Sequence, residues 1–587
     1  MKNSIKTLIF FLLVMLFAQS CQKKLLDKEP LDIISDAVVW DDPALTGAYL
    51  ANLYGRITPL AGLYGTNIFG GYDDFNVFAS IVASGEGCTN LPWNLTLIGQ
   101  GILNGSGGEL EYFDYAIIRD INIFLINLKK GKNEENLKTQ YNAQARFLRA
   151  FVYFEMVMRY GGVPIILTPQ SIEADSATLF VKRNKEQEVY DLIGKECDSI
   201  SNILPATDEP GRVTKYGALA LKSRAMLYAA SIAKYGTVQL DGVVGIPAAD
   251  ANKYWQSSLD ASKKIIDDGQ FALFNKYPDK SFNYQMIFLE KDNSEVILAK
   301  KFFDINYGHS WDDFENPNGN YTYWGCTFSP SSQMVDSYDM LDGSDGTIDW
   351  TNLKGYLRPV MLKKDPRCEA SIMYNGTPWI GNRDTVALWK GVYTETGEKL
   401  LTEYATYNGR DVVGLDETTF QRPSTGFLLK KFLDPTHKFP ITNSSYQDWL
   451  TFRYGEILLN YAEASFELNG PNADNLDAIN QIRERAGVAQ LGSVTLDKIR
   501  HERRIELAFE EHTFYDLRRW RIAGDELNTN RKAAFAYWHF NTTPNRYEYE
   551  VSDAESFNRV FKSAYYYLPI GETRINNNPN LVENPGY

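Results

Sequence analysis

A helical hydrophobic period, recurring in separate blocks, is what most constrains the fold of this chain. In "QYNAQARFLRAFVYFEMVMRYG", Ala143, Phe147, Ala150, Phe151, Phe154 and Met158 return at three- and four-residue spacing, and Gly161 stands where a helix would stop. In "FRYGEILLNYAEASFELNG", Tyr454, Ile457, Leu458, Tyr461, Ser465 and Leu468 form one stripe, ended by Gly470. "GALALKSRAMLYAASI", "YWQSSLDASKKIID", "AIIRDINIFLINLKKG" and "LDAINQIRERAG" repeat the pattern. Each such helix must bury its apolar face against another, so the spacing predicts a mainly α protein. Antiparallel pairs of about 34 residues would be tetratricopeptide-like units, which hide their faces by stacking. The usual residues of that repeat are not clear here, so the period alone establishes many helices.

Two regions break the period. Residues 60–108 are rich in Gly, Asn and aromatics, and residues 270–448 mix short β-like runs such as "SEVILAKKFF" and "STGFLLKKFL" with turns. Long irregular segments in compact proteins serve mostly as binding or lid loops, and a high aromatic content argues against disorder. The expected organisation is a single domain over 36–587. Its helical frame would be 36–59, 109–269 and 449–587, with 60–108 and 270–448 as elaborate loop regions and only a few short strands.

The first residues read as a leader. Lys2 and Lys6 precede the apolar run Leu8 to Ala18, which is too short for the ~20 residues that a bilayer span requires and fits a secretory signal over 1–20. Cys21 follows the small residues Ala18 and Ser20 at once, as in a lipoprotein processing site, so it is expected to become the lipidated N-terminus, with 21–35 as a tether. Acyl chains bind a bilayer at about 0.8 kcal/mol per buried CH₂, so firm anchoring takes more than one. The net charge of −14 argues against nucleic acid and against a basic membrane-surface patch. Cys88, Cys197, Cys326 and Cys368 match no zinc spacing and read as isolated buried thiols.

No catalytic signature stands out. "HERRI" lacks the second histidine of a zinc helix, "GQGILN" lacks the third glycine of a dinucleotide loop, and neither a phosphate-binding loop nor a nucleophile elbow occurs. "DGSDGTID" lacks the spacing and closing glutamate of a calcium loop and reads as a polar turn. No cofactor or metal is expected. A carboxylate pair assembled by the fold would be invisible in sequence. The acid–base cluster "RHERRIELAFEEHTFYDLRRW" spaces Glu502, Glu506 and Glu510 four apart. It reads as a structural ion-pair network at a helix junction, with Arg503, Arg518 and Arg519 as candidate partners.

That cluster closely resembles the "ERRxELAFEGxRFFDLxRW" signature of the SusD/RagB-like family of outer-membrane nutrient-binding lipoproteins. It carries Glu502, Arg503, Arg504, Glu506 to Glu510 and Phe514 to Trp520, and departs at Glu511 for glycine and Thr513 for arginine. "LLDKEPLDIISDAVVWDD", "ARFLRAFVYFEMVMRYGGVPII", "GRVTKYGALALKSRAMLYAA", "FRYGEILLNYAEA" and "YYYLPIGETRINNNPNLVENPGY" follow the family's order over essentially the whole mature chain. The resemblance implies four tetratricopeptide-like helix pairs and a non-catalytic role in capturing glycans (oligosaccharide or polysaccharide), or in some members peptides. It also implies a lid position over a SusC-like TonB-dependent outer-membrane transporter on the cell exterior. An exported helical glycoside hydrolase and a purely structural lid of the transporter are the competing readings.

Sugars present apolar C–H faces ringed by hydroxyls, so a site needs flat aromatics edged by amides and carboxylates. Both loop regions have that mixture. The candidates are Tyr72, Asp73, Asp74, Asn76, Trp93 and Asn94 in the first. In the second they are Tyr307, Trp311, Asp312, Asn320, Tyr321, Tyr323 and Trp324. The resemblance carries over the regions, not individual roles. Arg146, Arg149, Tyr153 and the Tyr454 to Tyr461 stripe are expected to be scaffold.

Overall fold

The computed structural model describes residues 36–57, 76–89, 96–304, 306–317, 325–379, 385–386, 388–401, 406–407, 410–411, 423–543 and 546–587. Helices hold 46% of the described residues and strands 11%, so the fold is mainly α. The leading helices are α1 (Pro43–Arg56), α2 (Asn76–Ser84), α3 (Tyr115–Lys130), α4 (Glu135–Tyr160), α5 (Glu186–Ser201), α6 (Lys215–Tyr235) and α7 (Ala251–Asp267). After a long insertion come α8 (Tyr454–Asn469), α9 (Ala473–Ala486), α10 (Leu496–Glu506) and α11 (His512–Arg519).

From α4 to α9 each helix packs on its predecessor, and α10 packs mainly on α8 and less on α9. The result is a continuous, tetratricopeptide-like stack in which α7 and α8 pack together although residues 268–453 intervene. The periodic stripes explain it. Ala143, Phe147, Ala150, Phe151 and Phe154 of α4 are buried, and so is nearly every other residue from Ala143 to Tyr160, as in a core helix. Gly161 ends α4 with φ 73°, a left-handed value that side chains other than glycine's adopt at a cost, and its N–H donates to the Val157 carbonyl. At the start of α9, Asn472 and Asn475 cap each other's backbone N–H groups, an arrangement in which losing the cap costs about 1 kcal/mol. Arg146 bonds Glu196 with two nitrogens, Arg149 donates to Asn122 Oδ1, and Tyr153 bonds the Ile166 backbone, so all three side chains join helices to their surroundings.

The strands are β1 (Gly87–Thr89), β2 (Val296–Lys300), β3 (Phe328–Pro330), β4 (Trp389–Tyr393), β5 (Lys399–Leu401), β6 (Trp449–Arg453), β7 (Lys532–His539) and β8 (Arg546–Asp553), besides two-residue pieces. β2 and β6 pair antiparallel, and β6 runs straight into α8, so this ribbon fastens both ends of the insertion to the helical stack. β7 and β8 form a hairpin in a four-stranded sheet ordered β8-β7-β4-β5. That hairpin corrects the expectation of a helical 449–587. Tyr547, Tyr549 and Val551 alternate with charged or polar residues at strand spacing, and the two tyrosines are buried. The loop region 270–448 also holds short helices, among them Lys280–Met286 and Trp311–Glu315. Cys88, Cys197 and Cys368 are buried thiols, and Cys326 is buried with its Sγ against the Asn316 carbonyl oxygen. In "DGSDGTID", Asp342 and Asp345 accept bonds from the backbone and hydroxyl groups of Ser344 and Thr347, which is a polar turn.

Candidate ligand-binding cleft

Where β2 leaves the stack, the chain reads Lys300-Lys301-Phe302-Phe303. These residues face α1 and the α5–α6 loop across a cleft of about 620 Å³, within the ~300–1,000 Å³ common for small-molecule sites. One wall is an aromatic pair. Phe303 and Tyr307 stack with ring centroids 4.9 Å apart and planes 23° apart. Each is 61% exposed, so the pair presents an apolar surface that the protein itself does not cover. Tyr54 and Gly55 of α1, Gly211, Arg212, Asn306 and Asn443 also line the cleft.

The position of the aromatic wall follows from its anchors. His309 and Ser445 exchange backbone hydrogen bonds, tying the 303–309 turn to the 441–445 loop. Only glycine permits this approach at 308, since a Cβ there would lie 2.1 Å from the Asn443 carbonyl oxygen. His309 is buried, its ring packed edge-on against Phe302 and bonded to the Gln447 carbonyl. Burial pushes its pKa down to about 3, so the imidazole is neutral and acts as a spacer. Phe302 N–H donates to Asp448, which also pairs with Lys301 and Lys291. Phe302 is thereby held inward and Phe303 outward.

Of the residues singled out from sequence, Tyr307 lies on this wall. Trp311 and Asp312 do not, which corrects the expectation for both. Trp311 is buried, its indole N–H donates to the Lys431 carbonyl, and its ring packs on Phe432. Asp312 is buried too, and it accepts from Gln447 Nε2, His437 Nδ1 and Asp434 N–H. Both lie on a short helix whose residues are all buried, so neither can offer a face to a ligand. Asn76 opens α2. Tyr72, Asp73, Asp74, Trp93, Asn94, Asn320, Tyr321, Tyr323 and Trp324 lie outside the described residues, as does Cys21. Sequence reasoning missed Phe303, Tyr54, Lys300, Arg212 and Asn443. A usable signal was the doubled aromatic after a doubled lysine, since a strand end has no second buried face for both rings.

The acid–base cluster is structural. Glu502, Glu506 and Glu510 are buried, and their partners come from distant segments rather than from Arg503, Arg518 or Arg519. Arg453 bonds Glu506 at 2.6 Å and Glu510 at 2.7 Å, Arg485 bonds Glu295 at 2.6 Å, Arg367 bonds Glu502 at 2.6 Å, and Lys431 bonds Glu510 at 2.7 Å. Arg503 and Arg519 instead pair with Asp516, and Arg518 donates to backbone carbonyls. Burial alone would raise the Glu506 pKa, but the guanidinium groups of Arg485, Arg453 and Arg367 outweigh it and hold the carboxyl far below its ordinary value. This network joins the insertion to α9 and α10 beneath Trp311. Among the described residues no group of three His, Cys, Asp or Glu side chains is arranged to hold a metal ion.

The architecture defines a tetratricopeptide-like helical scaffold with a large insertion, and an aromatic cleft where the two meet. A model described as the SusD family matches residues 294–587, and a second, described as starch-binding associating with outer membrane, matches residues 112–227. The chain belongs to the SusD/RagB-like family. Similar solved structures include a SusD-like protein of Bacteroides fragilis (TM-score 0.71, 23% identity, 95% of this chain and 100% of that one). A SusD-like carbohydrate binding protein of the same species has a TM-score of 0.70 at 22% identity, covering 93% of this chain and 100% of that one. A SusD-like protein of Bacteroides ovatus is 22% identical over 531 residues, 88% of this chain and 82% of the relative.

Proposed function

We propose that this protein is a glycan-binding lipoprotein of the outer membrane, facing the cell exterior and anchored through Cys21. It captures oligosaccharide or polysaccharide by binding without turnover and passes it to a SusC-like TonB-dependent transporter. The observation that carries the reading is the exposed Phe303–Tyr307 stack in a cleft also lined by Asn306 and Asn443. An aromatic face takes the C–H side of a sugar ring, and side-chain amides both donate to and accept from hydroxyls. Membership in the SusD family, a match described as starch-binding associating with outer membrane, and the lipoprotein-type leader support it.

Isothermal titration of the mature chain against a set of oligosaccharides tests the site. The Phe303→Ala/Tyr307→Ala protein should bind more weakly, at about 0.5–1.5 kcal/mol per aromatic contact, with an unchanged melting temperature. Equal affinity in wild type and double variant would move the site elsewhere, and release of shortened sugar products would replace binding with hydrolysis.

A further inference from the structure

The ionic side chains that line the cleft are Arg212, Lys300 and Lys301, and among the described residues its lining has no carboxylate. This local excess of cations stands in a chain of net charge −14. Lys301 is neutralised by Asp292 and Asp448. The other two cations have no ion pair among the described residues. Lys300 Nζ makes one long bond, 3.4 Å, to the Tyr54 carbonyl oxygen. An ammonium has three donors, so this leaves most of its hydrogen-bonding capacity unused. The Arg212 guanidinium lies over the Tyr54 ring at 5.2 Å, and its Nη1 is buried with no hydrogen-bond partner. Both cations line the one cleft, Lys300 at the Tyr54 backbone carbonyl and Arg212 over the Tyr54 ring.

An unpaired buried guanidinium nitrogen is costly, and native proteins satisfy such groups with near-uniformity. Burial also draws the Lys300 pKa below its ordinary value, the response of a cation that lacks a counter-charge. An anion in the cleft would supply the counter-charge that both side chains lack. Guanidinium and ammonium groups recognise carboxylates and sulfate oxygens through short charge-assisted hydrogen bonds.

We infer that the cleft takes an anionic saccharide: one ring stacks on Tyr307 and Phe303 while its carboxylate or sulfate substituent is held between Lys300 and Arg212. This deepens the glycan-binding reading and rests on it. The acidic remainder of the surface repels polyanions in general, so recognition depends on the substituent reaching these two side chains rather than on diffuse attraction.

Affinity electrophoresis in gels containing dextran, dextran sulfate, starch, polygalacturonate or alginate tests it, with wild type, Lys300→Gln, Arg212→Gln and Lys300→Arg. An anionic gel should retard wild type more than any neutral one, and whether the sulfated or the uronate gels do so identifies the substituent. The two glutamine variants should lose about ten- to a hundredfold in affinity for that gel, the scale of one charge-assisted hydrogen bond, while Lys300→Arg keeps most of it. The arginine variant also separates loss of charge from loss of fold, and melting curves of all four proteins check the latter. Retardation by neutral polysaccharide alone, or equal retardation of wild type and the glutamine variants, overturns the charge inference and leaves glycan binding standing. Retardation by none of the gels overturns both.

Discussion

At the scale of single residues, Glu511 shows what a departure from a family pattern costs. The position has φ 65°, left-handed backbone that suits the glycine of the signature that the acid–base cluster resembles. Burial, and next the nearby Glu155 carboxylate, push the Glu511 pKa up to about 8 against the opposing pull of Arg159 and Arg224. In the unfolded chain the carboxyl ionises near its ordinary value, so the folded state holds an extra proton between there and pH 8 and stability falls as pH rises across that window. Glu511→Gln should therefore stabilise the protein at pH 8 by about 1–3 kcal/mol, the order of an unsatisfied buried polar group, and have little effect at pH 4. Urea denaturation at the two pH values measures it, and an equal effect at both would place the cost in the backbone instead. Thr513, the other departure, has a role of its own, since its hydroxyl donates to Glu86.

At the scale of elements, the 434–445 loop decides whether the aromatic wall stays in place. His437 Nδ1 meets Asp312 Oδ2 at 2.8 Å, and this bond raises the His437 pKa above its ordinary value. A raised histidine pKa contributes stability that is complete below about pH 6.5 and lost as pH rises through the folded value. Hydrogen exchange over this loop should thus quicken relative to α4 as pH rises from 6 to 8, once corrected for intrinsic rates. In His437→Gln the extra quickening should vanish. The helices that flank these loops were legible in the sequence because burial imposes a 3.6-residue period on every packed face. The loops were legible only as regions. Trp311 and Asp312 look like ligand residues in sequence, but their partners Lys431, His437 and Gln447 lie more than a hundred positions away, and no local pattern announces them. The partners of Glu506 were hidden in the same way, while the β7–β8 hairpin had a readable alternation masked by its helical surroundings.

At the scale of the whole molecule, buried ionisable groups set where the protein is most stable. Glu506 and Glu510 are held below their ordinary pKa, so their contribution is present above about pH 4.5 and lost as pH falls. Burial raises Glu86, Glu109, Glu155 and Glu315, whose contributions decline as pH rises from that same value. Together they predict a melting temperature highest near pH 5 to 6 and lower on both sides, which a calorimetric pH series checks. The proposed anchor at Cys21 predicts that Cys21→Ala releases an otherwise native protein from the outer membrane in cells lacking the proposed transporter partner, as fractionation would show. The central claim, that the cleft between α1 and the Phe303–Tyr307 wall holds the ligand, is tested most directly at Gly55. A Cβ added there has no atom within 4 Å, and leucine favours the helix by up to about 1 kcal/mol over glycine, so Gly55→Leu should fold at least as stably as wild type. Titration of this variant with the glycan that wild type binds should show affinity lowered tenfold or more by occlusion of the cleft, and wild-type affinity in a protein of undiminished melting temperature would contradict the account.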